Sequence, residues 1–375
     1  MPAPDPDVAA STESPISVAL EPAHNALNNL GLLAKAAIRA DELSGLHEWV
    51  TRTAAALTPE QRHTNNLVMY GLHFAVAPDQ SWPSFPAYIN HLASLEPTIM
   101  RDWLFNAYSQ VCEEEDGYCP IPDPANDRNP LDTAPLLASV DAFLDFLSER
   151  FPPENVIPEI ESEAHRYLND PPAMQSLIVS HLRNMWDEIL APEWYRVLPM
   201  LQASVEAFRQ LDLGAMSRFE AAQRVLDHEL DEHKRQELEG VERLVFVPSA
   251  HLGPYLGKYK FGNTLWVLFG ARIPAGVQVH APDLSRAEIL VRLSALADDT
   301  RLRILKLVAE EGEQSSQNIM THLELSQSAA SRHLKQLYAT GYLAARRCNG
   351  AKCFKLNANR VEDTLRAISL FLLGK

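Results

Sequence analysis

Long apolar runs and cysteines are scarce in this 375-residue sequence. Its longest largely apolar stretches, residues 265–269 and 368–373, fall far short of the ~18 residues of a membrane-spanning helix, so we expect no such helix. There are four cysteines, too few for a disulfide scaffold in a chain of this length: Cys112, Cys119, Cys348 and Cys353. We therefore expect reduced thiols in a cytosol.

Basic residues are absent from the first 17 positions, which hold four prolines and three acidic residues. A secretory signal peptide begins with a positively charged segment followed by an apolar one, and neither is present. Residues 1–17 are thus predicted to be a disordered leader of a cytoplasmic protein. The rest of the chain is long enough for two or three domains.

Charge is divided unevenly along the chain. Residues 284–375 hold 14 Lys and Arg against 9 Asp and Glu, a net charge of +5, whereas residues 1–283 hold 19 against 40, a net charge of −21. A basic segment can lie against phosphate at low cost and an acidic segment cannot. The asymmetry suggests a nucleic-acid-binding part joined to a regulatory body, although a chance excess of charge on a solvated surface would give the same counts.

Residues 18–280 are predicted to form a helical effector or interaction domain. Apolar residues recur there at helical spacing, and the diproline at residues 171–172 marks a helix boundary. Runs rich in Val, Phe and Leu at residues 244–247 and 264–269 predict a strand pair near 241–273, in a hairpin or a small sheet. The expected fold class is mainly α with small β elements.

The C-terminal segment, residues 284–375, has the pattern of a helix-turn-helix. Helices are predicted at residues 287–296, 301–311, 316–323 and 327–339. Ser326 caps the last helix and Gly341 ends it. Ala330, Leu334 and Leu337 fall on one face and must pack inward. The outward residues of this helix can read base edges: Gln327, Ser328, Ser331, Arg332 and Lys335.

A β-hairpin is predicted directly after this recognition helix. Its strands, residues 343–347 and 352–356, are joined through Asn349-Gly350, a pair that adopts the positive φ angles of a tight turn. The hairpin carries cations that can meet phosphate or enter the minor groove: Arg346, Arg347, Lys352 and Lys355. A hairpin in this position is a wing, so residues 284–375 are predicted to form a winged helix-turn-helix for DNA binding and dimerisation.

Two segments of this domain, LSALADDTRLRIL at residues 293–305 and LSQSAASRHLKQL at residues 325–337, resemble the ArsR-type winged-helix bacterial repressors. The resemblance implies a homodimer, joined largely through terminal helices, that binds double-stranded DNA at a pseudo-palindromic operator. The apolar dimer seam would then include Leu365, Ile368 and Phe371. The body is similar to the long N-terminal region of a less characterised subset of these regulators.

Metal-sensing members of this family carry Cys or His ligands in the helix before the recognition helix. Residues 318–325 offer His322 alone, and the helix from Val361 has no His, so we expect no metal and no cofactor. Cys348 and Cys353 flank the turn of the wing. Small-residue packing in the wing is the favoured role for them, and a redox switch is the alternative.

No Gly-rich phosphate loop or nucleophile elbow occurs in the sequence, and we assign no catalytic residue. The expected function is a transcriptional regulator, a repressor whose body senses a small molecule or a partner protein but not a metal. One alternative is an enzyme fused to a DNA-binding winged helix, and another is a scaffold whose body binds a second protein. A pocket with convergent polar groups and perturbed acids or bases would favour the enzyme.

Overall fold

The structure, a computed structural model, describes residues 14–38, 47–109, 131–227, 230, 232–272, 274, 286–348 and 351–373. A helical body with a small sheet is followed by a winged helix with a second sheet. The predicted fold class, mainly α with small β elements, is confirmed. None of the helices formed by the described residues is long and apolar enough to cross a bilayer.

The helices of the body are 5 to 19 residues long. Their bounds are α1 (Pro22–Ile38), α2 (Glu48–Ala56), α3 (Pro59–Asn66), α4 (Phe85–Ser94), α5 (Pro97–Ser109), α6 (Ala134–Ala138), α7 (Val140–Arg150), α8 (Pro158–Leu168), α9 (Pro171–Met185), α10 (Ala191–Arg209), α11 (Arg218–Leu226) and α12 (Glu232–Glu239). The π-helical segments Leu67–Gly71 and Trp186–Leu190 continue α3 and join α9 to α10.

Proline and capping side chains fix where these helices begin. Thr58 and Gln61 form a reciprocal capping box at α3, in which the Thr58 hydroxyl accepts from the Gln61 amide at 3.1 Å and the Gln61 side chain accepts from the Thr58 amide at 3.0 Å. Asp170 caps α9, and Pro171 is its first residue. The predicted boundary at this diproline is therefore confirmed.

The sheet of the body has four strands in the order β1-β2-β4-β3: β1 (Ile16–Val18), β2 (Arg243–Ser249), β3 (Gly257–Phe261) and β4 (Thr264–Gly270). β2 lies parallel to both β1 and β4, whereas β3 and β4 form an antiparallel hairpin. The expected strand pair is thus part of a larger sheet. The sequence predicted no strand between its two apolar runs, but residues 257–261 form the outer strand of that hairpin.

The N-terminal leader was also predicted too long. Ile16 pairs with Leu244 and Val18 pairs with Phe246, so residues 14–17 belong to the described part of the body. Ile16 and Val18 are only 5% and 6% exposed, and burial of these apolar side chains stabilises the strand. The remainder of the predicted leader, residues 1–13, lies outside the described residues.

Both faces of the central strands are covered by helices. Val245 and Val247 of β2 pack into one apolar cluster, whereas Leu244 and Phe246 pack into another on the opposite face. Strand β4 alternates in the same way. A strand buried on two faces needs apolar residues at every position, which explains the continuous apolar runs in the sequence.

The C-terminal domain contains five helices and a three-stranded sheet of order β5-β7-β6 within the described residues. Their bounds are α13 (Arg286–Leu296), α14 (Asp299–Glu311), β5 (Gln314–Ser315), α15 (Ser316–Leu323), α16 (Gln327–Ala339), β6 (Leu343–Cys348), β7 (Ala351–Leu356) and α17 (Ala358–Leu373). The predicted helices of the helix-turn-helix, residues 316–323 and 327–339, are confirmed to the residue. Gly341, at φ +78°, turns the chain from α16 toward the wing.

Candidate nucleic-acid interface

The turn between α15 and α16 is held by local hydrogen bonds. Glu324 ends α15 in the left-handed conformation at φ 55°, and the amide of Leu325 donates to the Met320 carbonyl at 3.0 Å. Ser326 then caps α16, because its hydroxyl accepts from the Ala329 amide at 3.3 Å. The predicted cap is confirmed, and the two helices form a helix-turn-helix.

Helix α16 has one buried face and one exposed face. Ala330, Leu334 and Leu337 are 1%, 3% and 0% exposed and pack in the core of the domain, as predicted. The five predicted base-reading residues are all exposed on the other side of the helix: Gln327, Ser328, Ser331 and Arg332 in its N-terminal half, and Lys335 about one turn beyond Ser331. We refer to these five residues as the reading face.

Arg301 on α14 orients α16, a role that sequence reasoning missed. It is 7% exposed, and its guanidinium donates to the carbonyls of Ala295 at 2.6 Å and Ser294 at 2.8 Å and to the side chain of Gln336 at 2.8 Å. Gln336 belongs to α16 and is itself 2% exposed. One buried cation therefore ties α13, α14 and the recognition helix together. An arginine at the start of a helix gives no signal of this in the sequence.

The wing places its cations in different surroundings. Arg346 is exposed, and its Nε donates to the Glu313 carboxylate at 2.7 Å. This hydrogen bond from Arg346 lowers the pKa of Glu313. Lys352 is exposed, and its ammonium lies 5.3 Å from the centre of the Tyr338 ring. Arg347 lies in β6, and the placement of its side chain is outside the described part of the structure.

Cys348 and Cys353 are joined by a disulfide across the wing. The expectation of reduced thiols is wrong for this pair, because the antiparallel register of β6 and β7 places their Cα atoms 6.0 Å apart, within bonding reach. The other two cysteines, Cys112 and Cys119, lie outside the described residues.

The reading face borders a cleft that it shares with the body. Gln327, Ser331 and Lys335 line a cavity of about 1140 Å³, whose opposite side is formed by body residues that include Asn28 and Tyr259. In this arrangement the acidic body stands in front of residues that would have to reach DNA.

The terminal helix α17 leaves apolar side chains uncovered. Leu365 and Phe371, two of the predicted dimer residues, are 59% and 55% exposed, and Ile368 is half-buried. Leu372 and Leu373 are each 69% exposed. Helix α17 packs on α13 within the domain, and this contact leaves Leu365 and Phe371 exposed.

His322 lies on α15, where its Nδ1 is 3.0 Å from the Asn318 carbonyl and its Nε2 is 3.6 Å from the Glu311 carboxylate. Within the ranges that the structure describes, no group of three or more His, Cys, Asp or Glu side chains is arranged to hold a metal ion.

Comparisons with known proteins match this domain. Residues 298–344 match the family described as "Bacterial regulatory protein, arsR family". A stretch of 52 residues is 52% identical to the arsenic resistance transcriptional regulator ArsR1 of Pseudomonas putida, and covers 14% of this chain and 41% of that protein. The chain thus spans less than half the length of this curated relative.

The crystal structure of NolR from Sinorhizobium fredii is 32% identical, over 26% of this chain and 97% of that chain, with a TM-score of 0.20. Because this TM-score is low, the structural comparison does not support the family assignment. The assignment depends on the family match and on the geometry of the helix-turn-helix and wing. The predicted resemblance is confirmed for this part of the chain: residues 298–344 belong to a helix-turn-helix domain of the ArsR family.

Proposed function

We propose that the chain is a one-component transcriptional repressor that binds duplex DNA as a homodimer. The observation that carries the proposal is the reading face, five exposed polar or cationic side chains on α16 in an ArsR-family domain. Such side chains contact base edges in the major groove, while the cations of the wing contact phosphate.

A dimer follows from the size of the reading face. One recognition helix covers one half-site, and a second must lie about one DNA turn away, ~34 Å, to read a pseudo-palindrome. The exposed apolar side chains of α17 supply a surface for this contact.

Light scattering of the full chain should give twice the monomer mass, whereas the double variant Leu365→Glu with Phe371→Glu should give the monomer mass. A monomer at tens of micromolar for the unmodified chain would contradict the dimer.

We further propose that the body is a sensor, and we assign it no catalytic residue. One buried carboxylate of the body is that of Glu193, which accepts from Arg196 at 2.7 Å and lies 2.5 Å from the His251 ring. Burial opposes ionisation of Glu193, but the hydrogen bonds from Arg196 and His251 outweigh it and lower its pKa to about 2. A carboxylate with this pKa stays ionised near neutral pH, so it cannot donate a proton there and is only a weak base.

The cleft in front of the reading face supports control of DNA binding by the body. Residues 1–283 carry a net charge of −21, and phosphate cannot approach such a surface at low cost. A small molecule or partner protein that changes the placement of the body would therefore change operator affinity, with a coupling of about 1 to 3 kcal/mol.

The test compares the full chain with residues 281–375, after circular dichroism and light scattering establish that the fragment is a folded dimer. Fluorescence anisotropy with the same duplex should show tighter binding by the fragment, because the acidic body is gone. Equal affinity, together with unchanged regulation in cells, would mean that the body is not a control element.

A further inference from the structure

A second cavity, of about 290 Å³, lies between the body and the DNA-binding domain. The body lines it with the end of β2 and β4, including Ser249, Phe269 and Arg272. The DNA-binding domain lines it with Arg292 of α13, Thr340 at the end of the recognition helix and Arg360 of α17. Its volume is close to the lower end of the range for small-molecule sites, which often occur at domain boundaries. We call this cavity the boundary pocket.

The lining of the boundary pocket is cationic. It contains the four arginines Arg196, Arg272, Arg292 and Arg360, and its described lining residues include no aspartate or glutamate. Arg292 is 6% exposed, and the side chains of Arg272 and Arg360 are each 11% exposed. Three of these arginines already pair with carboxylates beside the pocket, Arg196 with Glu193 and both Arg272 and Arg360 with Asp227. This concentration of positive charge stands out in a chain whose net charge is −16.

The ion pairs of Asp227 show which chemical group these arginines bind. Its carboxylate lies 2.7 Å from Arg360 of the DNA-binding domain and 3.3 Å from Arg272 of the body, so one carboxylate bridges the two parts. Burial opposes its ionisation, but Arg272, Arg360 and Arg292 outweigh that effect and lower the pKa of Asp227. Both arginines contact the same oxygen, Oδ2 of Asp227, so the boundary already binds one carboxylate group through charge-assisted hydrogen bonds.

Ser249 supplies an independent sign of a ligand. It is 1% exposed, it lines the boundary pocket, and its hydroxyl has no hydrogen-bond partner among the described residues. Its carbonyl is used by the backbone, accepting from the Ala271 amide at 2.9 Å. A buried hydroxyl without a partner is unfavourable, and a ligand oxygen would satisfy it. Apolar side chains, among them Val197 and Phe269, complete the lining and suit a hydrocarbon or aromatic portion.

We propose that the boundary pocket binds a small organic carboxylate, with its anionic group among the arginines and the Ser249 hydroxyl and its apolar portion against Phe269. The proposal deepens the proposed sensor function and, in its regulatory part, rests on it. Because the lining joins the body to α13, to the end of α16 and to the start of α17, an occupant fixes how the DNA-binding domain sits against the body. Binding of the carboxylate and binding of DNA are therefore coupled.

Isothermal titration calorimetry of the full chain tests the binding step. The probes are benzoate and phenylacetate, with benzamide as the neutral counterpart of benzoate. The carboxylates should bind one site per chain, and benzamide should bind at least about tenfold more weakly, because it lacks the charge that the arginines require. Phenyl phosphate is the fourth probe, and tighter binding of phenyl phosphate than of either carboxylate would contradict the assignment to carboxylates.

Two variants connect binding to the pocket. Ser249→Ala and Arg292→Gln should each weaken benzoate at least about tenfold, since each removes a donor from the site. Arg209→Gln is the matched control, because Arg209 is exposed on α10 and pairs with Glu206 at 3.8 Å outside the pocket. Circular dichroism and thermal melting identify any variant that fails to fold. If Arg292→Gln fails to fold, the conclusion depends on Ser249→Ala, which is a smaller change.

The regulatory step is read in the same samples by anisotropy with duplex DNA. Benzoate should change the DNA affinity of the unmodified chain at least about fivefold, and Ser249→Ala should need at least about ten times more benzoate for the same change. No saturable binding of either carboxylate up to about 10 mM, or equal binding by Ser249→Ala, would overturn the proposal. DNA binding that persists in that case would leave the proposed function standing, whereas loss of DNA binding by the unmodified chain would remove it.

Discussion

Replacing Arg301 by methionine should loosen the recognition helix from its domain. Methionine keeps much of the apolar volume of the side chain but removes the guanidinium that donates to Ala295, Ser294 and Gln336. Two backbone carbonyls and the side-chain oxygen of Gln336 then lose their donor in a buried site. Hydrogen bonds from a charged donor contribute roughly 1.5 to 3 kcal/mol each and are not additive, so we expect a loss of about 3 to 5 kcal/mol.

Hydrogen exchange with mass spectrometry measures this loss in the full chain. Peptides from α14 and α16 should exchange at least about a hundredfold faster in Arg301→Met, since 1.4 kcal/mol corresponds to a factor of ten in the opening equilibrium. Arg303→Met is the matched control, because Arg303 lies two residues away on the same helix and is exposed. Its exchange should match that of the unmodified chain. The reasoning is refuted if the two variants exchange alike.

Three further predictions concern pH, DNA and metals. Burial raises the pKa of Glu161 from its usual 4.5 to about 7, so between these pH values the folded chain binds more protons than the unfolded chain. The free energy of unfolding therefore falls by about 3 kcal/mol as the pH rises through this window. Glu161→Gln should raise the melting temperature at pH 8 but not at pH 4. In anisotropy titrations Arg332→Ala should reduce the free energy of DNA binding by roughly 1 to 3 kcal/mol and relax the base preference. Arg347→Ala should weaken binding to all DNA sequences alike and reduce the salt dependence of binding. Stoichiometric zinc, cadmium or arsenite should change DNA affinity by no more than about twofold, because neither usual ligand set of the family is present. A tightly bound metal ion whose removal changes DNA binding would contradict this prediction.

The DNA-binding domain could be predicted from the sequence because local signals determine it. Ser326 and Gly341 fix the ends of α16, and the spacing of Ala330, Leu334 and Leu337 separates its buried face from its reading face. These features depend on neighbours within about one helical turn.

The sheet of the body and the boundary pocket could not be predicted in the same way. Strand β1 pairs with β2 across more than two hundred residues, and a three-residue strand leaves almost no periodicity to detect. Arg272 and Arg360 meet at Asp227 only because the two parts of the chain pack together. Sequence spacing carries no information on such contacts.

Selection of the full chain on a random duplex DNA library tests the central claim most directly. The account predicts enrichment of an inverted repeat whose half-sites are centred about one helical turn apart, ~34 Å. Ser331→Asp, which places negative charge on the reading face, should abolish the enrichment, whereas Lys306→Asp, on the exposed surface of α14, should retain it. Absence of any enriched sequence, or the same repeat enriched by Ser331→Asp, would contradict the account.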